Sequence, residues 1–212
     1  MTARRIGHNR RALHVVAVLL LTVVTVLASG CQSQGSDPAS PTDTANTAAA
    51  RGGAEQLPGP VPDGVRYRSV SRAAPHAPTF RATLLDGTPL RVQKLWAQRP
   101  VVLVFFSSWC ARCAALQPRY NAVLGDFGDR IAVLGIAGSD SRKGVTRYLK
   151  EHRVDYAVAL DDGRIWRSYA VREPPAVVLV GKGGHLLRGW PGGVRPKRLR
   201  QAIRHLIVSP DK

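Results

Sequence analysis

Two cysteines separated by two residues dominate the chemistry this sequence can do. Cys110 and Cys113 stand in the run Trp109-Cys110-Ala111-Arg112-Cys113, directly behind the apolar stretch Val101–Phe106. A pair at this spacing can close a disulfide, reopen it, and so carry two electrons. The chemistry needs the first Cys at a helix N-terminus. There the unpaired backbone N–H groups and the helix dipole favour its thiolate. The second Cys then lies within the first helical turn, within bonding reach. Arg112, between them, adds a positive charge that favours the thiolate further.

The same two sulfurs could serve other chemistry. A structural zinc site takes four ligands, yet there is no second Cys pair, and His76, His152, His185 and His205 show no ligand spacing. No metal is assigned. A purely structural bridge over two intervening residues closes a very small loop with little entropic benefit. Copper delivery is the rival from a different class, because two thiolates are soft ligands for Cu(I). His185 would be its best further ligand and is otherwise a solvated turn residue. Trp96, Trp166 and Trp190 are expected to pack rather than bind. No Gly-rich phosphate loop, Ser-His-Asp grouping or paired carboxylates stand out, and no organic cofactor is implied.

The elements that must position the pair are legible from residue 77 onward. Thr79–Leu84 reads as a strand and Asp86-Gly87 as a turn. Val101–Phe106 suits a strand buried on both faces. Ala111–Leu124 is helical in pattern, with Pro118 inside to kink it. Ile131–Ala137 is a second buried strand, Arg142–His152 an amphipathic helix, and Tyr156–Leu160 a short strand. Asp161-Asp162 reads as a cap for a short helix over Gly163–Tyr169. Ala176–Val180 and His185–Trp190 form a hairpin, and Pro196–Ile207 a final basic helix. Val65–Val70 alternates weakly, as a short edge segment would. Alternating strands and helices imply a mostly parallel central sheet with an antiparallel edge.

These residues resemble the thioredoxin superfamily. Trp109 to Cys113 with Pro118 five residues later is similar to its W-C-x-x-C…P. The stretch Tyr169 to Val180 resembles its second signature, in which Pro175 matches the Pro that is cis and faces the sulfurs. The opening Ala77–Leu90 resembles membrane-anchored TlpA/ResA/DsbE-like members. The resemblance spans about residues 76–208 and implies a thioredoxin-like α/β fold, a central mixed sheet flanked by helices. It implies a thiol–disulfide oxidoreductase with Cys110 and Cys113 as catalytic residues and Trp109, Arg112 and Pro175 in support. It further implies protein thiols and disulfides as substrates, apocytochrome c among them, and a membrane electron-transfer partner of the CcdA/DsbD kind. Three positions depart from the pattern. Family members carry a carboxylate where this chain has Val104 or Leu116, and such a group can shuttle the proton of the buried thiol. Pro174, before the cis-Pro position, cannot offer the backbone N–H that relatives can.

The start of the chain reads as an address. A basic stretch, Met1 to Arg11, precedes the apolar run Ala12–Ala28 and then Ser29-Gly30-Cys31. This is secretory-signal architecture. The Cys after small residues resembles a bacterial lipobox, which implies cleavage before Cys31 and lipidation of its thiol. An uncleaved helical anchor is the alternative, and either places the bulk of the chain on the extracytoplasmic face of the cell membrane. The expected division is therefore a signal peptide over 1–30, a disordered tether over 31–75, and the folded domain over 76–208. The tether would reach roughly 35–40 Å. From Cys31 onward the chain carries 27 basic against 14 acidic residues, which points to an anionic neighbour. No motif supports nucleic-acid binding, and a monomer is expected.

Overall fold

The computed structural model describes residues 51–208; the expected signal peptide, Cys31 and the expected tether up to residue 50 lie outside them. The first elements in chain order are β1 (Arg66–Tyr67), β2 (Arg81–Thr83), β3 (Pro89–Arg91) and α1 (Gln93–Trp96). Then come β4 (Val101–Phe106), α2 (Ala111–Gly125), β5 (Ala132–Gly138), α3 (Arg142–Glu151) and β6 (Ala157–Asp161). The chain continues through α4 (Arg164–Ser168), β7 (Ala176–Val180), β8 (Leu186–Pro191), α5 (Pro196–Leu206) and β9 (Ile207–Val208).

The central sheet has the order β6-β5-β4-β7-β8. β4 pairs parallel to β5, and β5 parallel to β6, so each step needs a crossover helix. α2 and α3 supply them. β7 pairs antiparallel to β4, and β8 antiparallel to β7. All six residues of β4 are buried, because helices cover both faces of the sheet. Val102, Val104 and Phe106 face one core with α2, α3 and α5. Val101, Leu103 and Phe105 face a second core with α1, α4 and the β2–β3 hairpin. This is the mixed α/β architecture expected from the sequence. Residues 51–208 carry both cores and all three sheets, so this stretch is a folding unit.

Local chemistry sets the ends. Ser141 caps α3, its Oγ accepting from the Gly144 N–H at 3.0 Å. Asp161 caps α4 by accepting from the N–H groups of Ile165 and Trp166, each at 3.0 Å. Pro196 opens α5, where its missing N–H costs nothing. Gly87 takes φ +91° in the β2–β3 turn, a conformation that favours glycine. α2 continues through Pro118. Trp96, Trp166 and Trp190 are all buried, as packing residues should be.

The domain does not begin at residue 76. Residues 51–75, expected as tether, are fastened along the folded unit. Gly52 accepts from the Val158 N–H at 2.9 Å, and Asp86 accepts from Ala54 N–H at 2.7 Å. Arg99, almost fully buried, donates to Gly59 O at 2.7 Å. β1 pairs antiparallel with β9, and Pro75 O accepts from Leu186 N–H at 2.8 Å. The correction has a plain cause. This stretch is held mostly by its backbone groups, with Asp86 and Arg99 as partners and scattered side chains such as Leu57 and Tyr67, and such contacts leave no hydrophobic period to read. His185 needs correcting too. It is half-buried, its ring 4.4 Å from that of His76 and its Nδ1 3.1 Å from Ala74 O. It sits at the far end of β7 from Pro175.

Candidate active site at the mouth of α2

β4 ends at Phe106, and five residues later α2 begins at Ala111. Cys110 is the N-cap residue, in extended backbone, and Cys113 lies in the first turn. The two form a disulfide with Cα atoms 5.2 Å apart. Cys110 Sγ also accepts from the Cys113 N–H at 3.0 Å. A sulfur in this position receives a helix-end donor, the arrangement that lowers a thiol's pKa. In this oxidised form the two cysteines are buried almost equally, 6% and 4% exposed. What separates them is the helix position, not access.

The loop before Cys110 is held by a residue that sequence reasoning missed. Asp140, just past β5, accepts from both the N–H and the hydroxyl of Ser108, the latter at 2.8 Å. It also accepts from the Ser141 N–H at 2.8 Å. Ser107 donates to Gly138 O at 2.6 Å. Trp109 is 63% exposed, yet its Nε1 donates to Ser139 O at 3.1 Å. The ring is therefore open to solvent beside Cys110, with its polar end tied to the loop after β5. Nothing in the spacing of Ser108 and Asp140, 32 residues apart, could have announced this.

The opposite wall comes from the start of β7 and the loop after β8. The Pro174–Pro175 peptide is cis, as the resemblance implied. Gly193 takes φ +85°, and a Cβ there would lie 3.0 Å from Leu116 Cδ1 and 3.1 Å from Pro175 Cγ. Only glycine lets the backbone pass this close. Tyr120 fixes the same loop: its hydroxyl donates to Val194 O at 3.0 Å and accepts from Val194 N–H at 2.9 Å. Burial holds the Tyr120 hydroxyl above its ordinary pKa, with the Val194 amide and Arg112 partly opposing. An open cleft of about 570 Å³ runs beside the mouth, lined by Arg112, Arg172, Pro174, Pro175, Trp190 and Gly192 among others. Arg112 is exposed there. Thus the five residues expected from the sequence divide between the helix mouth and its facing wall. At the two positions where relatives carry a carboxylate the site has the apolar side chains of Val104 and Leu116. Among the described residues no three His, Cys, Asp or Glu side chains gather as a metal site.

Fold and dithiol together define a thiol–disulfide oxidoreductase of the thioredoxin superfamily, DsbE-like in kind. The family model described as AhpC/TSA family matches residues 73–188, and the chain belongs to that family. It is similar to the thiol:disulfide interchange protein DsbE of Escherichia coli K12, 28% identical over 139 residues, which cover 64% of this chain and 74% of that one. It is similar to the soluble secreted antigen MPT53 of Mycobacterium tuberculosis H37Rv, 30% identical over 100 residues, 47% of this chain and 57% of that one. Among solved structures it matches a secreted Mycobacterium tuberculosis disulfide oxidoreductase homologous to E. coli DsbE. That match has a TM-score of 0.53 and 25% identity, covering 59% of this chain and 94% of that one. Among the described residues no helix is long and apolar enough to cross a membrane.

Proposed function

We propose that this protein exchanges disulfides with exported proteins on the outer face of the cell membrane, with Cys110 as attacking thiol and Cys113 as resolving thiol. The observation that carries this is the Cys113 N–H donated to Cys110 Sγ at the helix mouth. In the reducing direction the Cys110 thiolate attacks one sulfur of a client disulfide. A mixed disulfide forms, and the client's other sulfur leaves as thiolate. Cys113 then attacks Cys110 Sγ, closes the internal disulfide and releases the second client sulfur, so two electrons pass to the client. The oxidising direction reverses each step. Trp109 lies beside Cys110, Arg112 favours the thiolate, and Pro175 faces the pair. The names of the relatives, an interchange protein and a secreted antigen, support this chemistry and an extracytoplasmic setting. Lipidation at Cys31, a CcdA/DsbD-like electron partner and cytochrome c precursors as clients complete the proposal, on the Ser-Gly-Cys boundary and the family resemblance.

The test uses single-cysteine variants in cells. Cys113→Ser should trap mixed disulfides with client proteins, and Cys110→Ser should not. Trapping by Cys110→Ser alone would reverse the assignment. In the same cells, Cys31→Ala should leave an unprocessed precursor without lipid label; unchanged mass and labelling would remove the anchor from the proposal.

A further inference from the structure

The redox pair and a dense cluster of positive charge lie at opposite ends of α2. Cys110 caps its N-terminus. Beyond its C-terminus a cleft of about 460 Å³ is lined by Arg68, Arg130, Arg200, Arg204, Ile207 and Val208, with Asp126 and Phe127. The 15 residues of α2 place these ends about 22 Å apart at 1.5 Å per residue. Topology adds to the same end. The β7–β8 turn comes down beside β1, where Lys182 Nζ lies 5.7 Å from the centre of the Tyr67 ring. β1 is joined to the end of α5 by the Arg68 N–H on Leu206 O at 2.9 Å.

This charge is not there to balance the fold. From Pro174 to Val208 the sequence has seven Lys and Arg and no Asp or Glu. Arg200 and Arg204 are an i,i+4 pair of like charge, which weakens a helix, and α5 has no acid in its first turn to suit the dipole. Among the described residues Asp126 is the one acid that lines the cleft, and it is already paired with Arg200. Among the described residues the side chains of Arg68 and Arg204 make no hydrogen bond or ion pair. Val208, 38% exposed, is one of only two large exposed hydrophobics described, the other being Trp109. Guanidinium groups around a small apolar spot match lipid headgroups over acyl chains.

We propose that this end of the molecule, centred on Arg68, Lys182, Arg200 and Arg204, docks on an anionic phospholipid bilayer. The choice of a membrane over another polyanion rests on the extracytoplasmic, anchored function proposed above. Docked in this way, the molecule turns the Cys110–Cys113 mouth away from the lipid and toward soluble clients. The surface would act with the lipid anchor, as a second signal that fixes orientation.

The test uses residues 51–212, which carry the folding unit but neither the apolar leader nor Cys31. Vesicles of phosphatidylcholine with roughly 30 mol % phosphatidylglycerol should co-sediment the protein at low salt, and pure phosphatidylcholine vesicles should not. Binding should fall steeply as salt rises from about 50 to about 500 mM. Combining Arg68→Glu, Lys182→Glu and Arg204→Glu should lower partitioning at least tenfold. An equal charge change at Arg81, Arg91 and Lys143, on the β2–β3 hairpin and the start of α3, should lower it far less. Arg68→Gln with Arg204→Gln gives a milder second variant, and thiol exchange with a small disulfide should be unchanged in all of them. No vesicle binding, equal loss in both triple variants, or retention by duplex DNA without vesicle binding would overturn the proposal. None of these outcomes bears on cysteine trapping, so the two proposals fail separately.

Discussion

At Cys110 a backbone amide does part of what a neighbouring base does elsewhere. The Cys113 N–H and the helix end favour the thiolate, and Arg112 adds an exposed cation. The thiolate belongs to the reduced state, so each of these makes the disulfide a stronger oxidant. Val104 and Leu116 remove the proton acceptor that would help Cys113 attack. Equilibration with glutathione buffers should therefore give a potential less negative than thioredoxin's, about −270 mV. Arg112→Glu should shift it downward by roughly 10–20 mV, since an exposed charge interaction is worth about 0.5–1 kcal/mol and about 30 mV corresponds to 1.4 kcal/mol. No shift would mean that Arg112 acts only on the cleft. These residues were legible because their spacing is local and their types carry chemistry. Asp140 and Tyr120 were not. Each acts on the site through a contact 32 or 74 residues away in sequence, and no spacing rule reaches that far.

Among the elements, those that the sequence showed well are the ones buried by their own neighbours. β4 and β7 are continuous apolar runs, and α3 and α5 bury Val145 and Leu149, Leu199 and Ile203 at helical spacing. β1 and β9 are two residues each and exist only because they pair with each other across the whole domain. The 3₁₀ turn Ala54–Gln56 depends on Asp86, an acid from the β2–β3 hairpin. That dependence is testable by pH. Asp86 is held below the ordinary carboxylate range, first by the Ala54 N–H and then by the Thr88 N–H. A lowered folded-state pKa means the stabilisation is fully present above the ordinary carboxylate value. It is lost as pH falls through the lowered one. Amide exchange at Ala54 should thus accelerate, relative to the free-chain rate, only below about pH 4. Asp86→Ala should show the fast rate at neutral pH, with a small fall in Tm because solvent screens this exposed group. Slow exchange in that variant would assign the turn's stability to Gln56 alone.

The described part of the molecule closes through residues 51–75. They run past the ends of β6 and β5, meet Arg99, and reach β9. Arg99 is the strongest of these ties, because it is a fully buried cation with no carboxylate. Its donors end on Asp129 O, Gly59 O at 2.7 Å and Gln98 Oε1 at 3.2 Å. Taking Gly59 away leaves a buried charge short of an acceptor, and a hydrogen bond to a charged group is worth about 1.5–3 kcal/mol. Arg130 O would also lose the Tyr67 hydroxyl that donates to it at 2.9 Å, and β9 would lose its partner strand β1. The second core would lose the cover of Leu57, which packs against it. A chain starting at residue 76, where the compositional shift suggests the domain begins, should therefore be less stable than one starting at 51 by about 2–4 kcal/mol. Urea titration of the two forms measures this, and the shorter form should show a lower midpoint at a similar slope. Arg99→Met in the longer form is the companion: it removes the charge together with its need for acceptors. Its loss should be smaller than that of the truncation, because a buried ion replaced by an apolar side chain of similar length costs less than one left unpaired. If the two starts proved equally stable, the clasp would be a passive cover that adds nothing to stability.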